Sequence, residues 1–166
     1  SSAAKGSAAR APAAPRGDGG SGGSVAALSG DKWESNFAHC LELLRGPKDE
    51  TRFVGLMLVT KLLGSPGVDG DAGAVRQVLD ALGATFLDRL LLPLNRTHGR
   101  GMPTNEDAYQ QEVLGTSLAL AILGTACRVP DIASSPAMLE RVPALVRVVR
   151  AGGAAELVPR PAAPPA

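Results

Sequence analysis

The chain has 166 residues, with 17 Lys or Arg against 16 Asp or Glu and a 45% apolar content of which very little is aromatic. This near-neutral balance, which holds within residues 31–150 as well (13 basic, 14 acidic), excludes the basic, base-stacking surface of a nucleic-acid binder. Two cysteines, Cys40 and Cys127, are too few for a disulfide framework and point to a reduced, cytoplasmic setting.

Residues 1–30 are Ala, Gly, Ser, Pro and Arg with almost no large apolar side chains. Such a segment cannot bury enough surface to offset its ordering entropy, so it is predicted to be disordered. It lacks the apolar stretch of a secretory signal, and its three basic residues are too sparse for a polybasic membrane anchor. The last segment, 151–166, carries Pro159, Pro161, Pro164 and Pro165 and is predicted to be disordered too.

Between these tails the apolar spacing is helical. A first helix is predicted from Asp31, with Trp33, Phe37, Cys40, Leu41 and Leu44 on one face. Gly46 and Pro47 then break the chain, Gly46 as a left-handed C-terminal residue and Asp49 as the cap of the next helix. The connection is about four residues long, which favours an antiparallel hairpin. Its second helix, Glu50 to Leu63, is apolar nearly all round, so it is expected to be covered on more than one side.

A turn-rich connection over 64–70 leads to a helix from Asp71 to Leu82 ended by Gly83. Phe86, Leu87, Leu90, Leu91 and Leu94 follow in a short segment, with Asp88 and Arg89 outward. Residues 95–105 contain Gly99, Gly101 and Pro103 and read as a loop. A long helix is predicted over Glu106 to Cys127, kept thin by Gly115, Ser117, Ala119, Ala121 and Gly124. Its uncharged run, Val113 to Cys127, falls short of the roughly 20 residues that span a bilayer, so it is taken as a central buried helix. Ser135 and Pro136 begin a last helix through Val149, kinked or divided by Pro143.

Consecutive amphipathic helices without β-alternation describe an all-α domain over 31–150. The pairing favours an armadillo/HEAT-like right-handed stack of antiparallel helices, with an irregular helical bundle as the alternative. Leu145, Val146, Val148 and Val149 are expected to be partly uncovered, which would allow self-association through that helix.

Reactive side chains give little chemistry. His39 and Cys40 are adjacent on a helix and therefore do not face each other, so a thiol enzyme is not expected and Cys40 and Cys127 read as buried structural residues. A zinc site from His39, Cys40, His98 and Cys127 has no recognised ligand spacing. No cofactor and no catalytic residue are assigned. Arg96, His98 and Arg100 lie in one loop and are the candidates for gripping a phosphate or an acidic peptide. Ser134-Ser135-Pro136 is explained by helix capping.

Cys40-Leu-Glu-Leu-Leu-Arg with Pro47-Lys-Asp49 and Leu56-Met-Leu-Val-Thr-Lys61 resembles the N-terminal signature of the neurochondrin family. Phe86-Leu-Asp-Arg-Leu-Leu91, Val113-Leu-Gly-Thr-Ser-Leu-Ala-Leu-Ala121 and Leu139-Glu-Arg-Val-Pro143 continue the resemblance over roughly residues 37–150. The resemblance implies an armadillo-like, cytosolic, non-catalytic scaffold or adaptor whose partners are other proteins or peptide segments. In animal members it implies association with neurite outgrowth and receptor tails. The Ala/Gly/Pro/Arg-rich tails fit a GC-rich algal or plant genome. The chain is expected to be the N-terminal portion of a longer family domain. A fragment of an enzyme whose active site lies elsewhere is the alternative.

Overall fold

The computed structural model describes residues 22–65, 71–96 and 101–161, and the described residues are helical without a strand. The remaining residues, including most of the predicted N-terminal tail, the centre of the 64–70 turn and the end of the Pro-rich tail, lie outside the described residues.

Helix α1 runs from Gly22 to Leu44 and α2 from Asp49 to Leu63. The first begins nine residues before Asp31, with Gly30 tolerated inside it at about 1 kcal/mol relative to Ala. Phe37, Cys40, Leu41 and Leu44 are buried on its predicted face. The break between α1 and α2 is made differently from the expectation. Gly46 does not adopt a positive φ; its need for no side chain is steric, because a Cβ there would lie 3.0 Å from the Leu43 carbonyl oxygen and 3.1 Å from Thr51 Cγ2. Asp49 is not the cap either: Lys48 holds that position without a side-chain bond, and Asp49 is the first helical residue.

Gly55 sets the crossing of α1 and α2. A Cβ at Gly55 would meet Leu43 Cβ and the Leu44 nitrogen, both at 2.9 Å, so the helices touch backbone to backbone. Leu56, Val59 and Leu63 are buried, whereas Val54 and Leu58 are exposed, so α2 is covered on fewer sides than its composition predicted.

Helix α3, Ala72–Leu82, starts on Asp71, whose carboxylate accepts from the Gly73 and Ala74 amides, and ends at Gly83 with φ +71. Helix α4, Ala84–Leu91, runs directly into a 3-10 turn over Leu92–Asn95 that contains Pro93. Arg52 gathers these elements. Its Nε donates to the Leu44 carbonyl at 3.0 Å, another guanidinium nitrogen donates to the Leu82 carbonyl, and the group lies 4.1 Å from the centroid of Phe86.

Helix α5, Glu106–Ala126, is capped by Asn105 and buries Tyr109, Thr116, Ala119, Ile122, Leu123 and Ala126. Thr116 Oγ1 donates to the Leu90 carbonyl at 2.8 Å, tying α5 to α4. The helix is not buried all round: Leu114 and Gly124 are exposed, and nothing lies within 4 Å of the Cβ position of Gly124. Cys127, expected inside, is exposed because it follows the last turn of α5.

Two single-turn helices, α6 (Pro130–Ala133) and α7 (Pro136–Leu139), precede α8, Val142–Ala151. Pro143 stands in the first turn of α8, so the predicted last helix is divided near residues 140–141. Gly152 and Gly153, both at positive φ, reverse the chain. The described part of the predicted C-terminal tail therefore folds: Ala154 and Val158 are buried, and the Tyr109 hydroxyl donates to the Ala155 carbonyl at 3.1 Å. Pro-rich composition concealed a segment whose Ala154, Leu157, Val158 and Pro159 give it apolar surface to dock.

Helix α1 packs on α2 and α3, α2 on α3 and α5, and α4 on α5, with one apolar core running through them.

Candidate interaction surface

Among the described residues the helix packing leaves a groove of about 610 Å³ between the first turns of α2, the outer side of α4 and the first half of α5. Phe53, Val54, Leu90 and Pro93 give it an apolar lining, and Gly115 gives it depth. A Cβ on Gly115 would lie 3.2 Å from Leu90 Cδ2 and 3.4 Å from Phe53 Cε2, so a side chain there would press on the lining.

The rim is charged but largely self-neutralised. Arg89 donates two bonds to the Asp49 carboxylate, at 2.8 and 2.9 Å. Arg96 donates to both oxygens of Glu112, at 2.7 and 2.8 Å, and this pair is mostly buried. Glu50 has no cationic partner among the described residues. The groove thus carries one unopposed negative charge at the start of α2.

Of the three loop residues predicted to touch a partner, Arg96 lines this groove, with its charge matched by Glu112. His98 and Arg100 lie outside the described residues. The groove itself was not read from the sequence, although the surplus apolar residue Val54 on α2 was its available signal.

A second open surface lies on α8, which has no buried residue. Leu145 and Val148 pack partly on the core, whereas Val142, Val146 and Val149 are exposed, Val149 to 80%. These three form a stripe at helical spacing, and Leu139, at the end of α7, is exposed as well. Helix α8 carries Arg147 and Arg150 and no acidic residue.

Neither surface holds a nucleophile. Cys40 is buried, and burial pushes its thiol pKa up, away from the thiolate, while the neighbouring His39 is exposed on another face. Among the described residues no group of three or more His, Cys, Asp or Glu is placed to hold a metal ion, and no helix is long and apolar enough to cross a membrane.

The Neurochondrin family profile matches residues 33–158, which spans the hairpin, the groove and the docked C-terminal segment. The chain belongs to the Neurochondrin family. Neurochondrin of Rattus norvegicus is 32% identical over 111 residues, covering 67% of this chain and 14% of that protein. Neurochondrin of Homo sapiens is 31% identical over the same length, and the neurochondrin homolog of Drosophila melanogaster 29%. The chain thus spans 14% of the length of the curated neurochondrins it matches. No solved structure matches it.

Proposed function

We propose that this chain is a non-enzymatic protein-interaction module of neurochondrin type, acting as a scaffold or adaptor, and that a helix of a partner docks in the groove between α2, α4 and α5. The observation that carries this reading is the groove: apolar in lining, open, and with both of its arginines already matched by carboxylates. Its volume falls in the range of about 300–1,000 Å³ common to binding clefts.

The chemistry of the lining favours a helix over an extended peptide. An extended segment exposes backbone donors and acceptors that need partners, and this all-helical surface offers no strand edge to pair with them. Gln111 is the sole side-chain amide in the lining. A helix satisfies its own backbone and asks the groove only for apolar contact. The packing of α1 on α2 and α3, and of α2 on α5, supports an armadillo-like stack, and the unpaired thiols Cys40 and Cys127 support a cytoplasmic setting.

The test compares proteins retained from cell extract by the wild-type chain and by Val54→Glu, identified by mass spectrometry. Val54 is 48% exposed at the groove lip, so the substitution leaves the core intact. Proteins lost selectively from the variant are expected, and identical sets for the two chains would overturn the reading.

A further inference from the structure

We propose that a helix taken by the groove is α8 of a second copy of this chain, so that copies associate head to tail. The proposal rests on the reading that the groove accepts a helix, and adds which helix. Three observations carry it.

Helix α8 has the shape the groove asks for. Its outer stripe, Val142, Val146 and Val149, is uncovered over a seven-residue interval. The α5 side of the groove, Ala108 to Gly115, spans the same interval, about 11 Å of helix axis in each case. The charges also match. Arg150 stands one turn beyond Val146 beside the stripe and, like Arg147, has no acidic partner among the described residues, while Glu50 at the groove has no cationic one. Finally, none of the stripe residues lines the groove of its own chain, so the two surfaces are separate and can be used at once.

A symmetric pairing of two α8 helices fits less well. It would leave the groove and its unmatched Glu50 unused, and neither helix carries an acidic residue for Arg150 to meet. Docking α8 into the groove of the next copy instead brings Arg150 to Glu50. The contact is heterologous, so copies add in series and not only in pairs.

Size-exclusion chromatography with light scattering on the full chain tests this over a concentration series. The mass of the wild type should rise with concentration. Val149→Glu disables the stripe and Val54→Glu the groove, and each variant alone should remain monomeric while retaining the wild-type circular dichroism and melting curve. An equimolar mixture of the two should form a 1:1 dimer and nothing larger, because each supplies the surface the other lacks.

A charge exchange gives an independent reading should either variant lose its fold. Glu50→Arg should weaken self-association at least tenfold, and pairing it with Arg150→Glu should restore most of that loss. A wild type that stays monomeric throughout overturns the proposal, as does a mixture that fails to dimerise. Should self-association be absent while proteins from extract still depend on Val54, the groove reading stands and this inference alone falls.

Discussion

The Arg52 guanidinium covers the face of Phe86 at 4.1 Å while bonding the carbonyls of Leu44 and Leu82. Those carbonyls close α1 and α3, so one cation sits at two helix C-termini, where the helix dipole favours positive charge. Replacement by Lys keeps the charge but loses the planar fork that reaches both carbonyls and the ring. Arg52→Ala is expected to cost about 2–4 kcal/mol and Arg52→Lys about 1–2. Urea denaturation followed by circular dichroism measures both, and a change below about 0.5 kcal/mol for Ala would contradict this role.

Two glycines inside helices should answer the same substitution with opposite signs. Gly55→Ala places a methyl 2.9 Å from Leu43 Cβ and the Leu44 nitrogen, and α1 must move away from α2. A loss of about 1–3 kcal/mol is expected despite the better helix propensity of Ala. Gly124→Ala meets nothing within 4 Å and should gain about 0.5–1 kcal/mol. Melting temperatures that move the same way for both would refute the backbone contact.

These cases show where reading the chain residue by residue works. The limits of α3 were legible because Asp71 and Gly83 act on their own neighbourhood, and the division at Pro143 was legible for the same reason. The all-α class followed from spacing, whereas of the exposed stripe of α8 only Val146 and Val149 were expected and Val142 was not. The Asp49 cap was misread because the helix starts one residue earlier, at Asp49 itself, whose carboxylate is bonded by Arg89, 40 residues away. The groove was missed because α2, α4 and α5 supply it jointly, and Arg96 could not be seen to be matched by Glu112. Gly55 and Gly115 looked like ordinary small residues, since the atoms that crowd them belong to other helices.

The thiols should separate in reactivity. Cys127 is exposed and should react with iodoacetamide at the rate of a free thiol, while Cys40 should react only on opening of the fold. Mass spectrometry of a labelling time course distinguishes them, and equal rates would sink the assignment. Because burial raises the Cys40 pKa, its protonated form favours the folded state. That contribution is fully present below the ordinary thiol pKa and is lost as pH rises through the raised folded value. Wild type should therefore lose stability in the alkaline range more steeply than Cys40→Ala.

The Tyr109 hydroxyl bond to Ala155, with Arg160 5.4 Å from the ring centroid, fastens the C-terminal segment to α5. Tyr109→Phe keeps the ring and removes the bond. A glutamate-specific protease should cut after Glu156 several-fold faster in the variant, with a stability loss of about 1 kcal/mol. An unchanged cleavage rate would mean that apolar burial at Ala154 and Val158 holds the segment without the bond.

The position of Arg52 also bears on the order in which the protein assembles. The α1–α2 hairpin is local in sequence, whereas the bond to Leu82 closes a span of 30 residues and needs α3 to be in place. Loop closure over that span follows formation of the nearer contacts. Removal of the guanidinium should then speed unfolding and leave the refolding rate almost unchanged, marking Arg52 as a late clasp on helices that have already met.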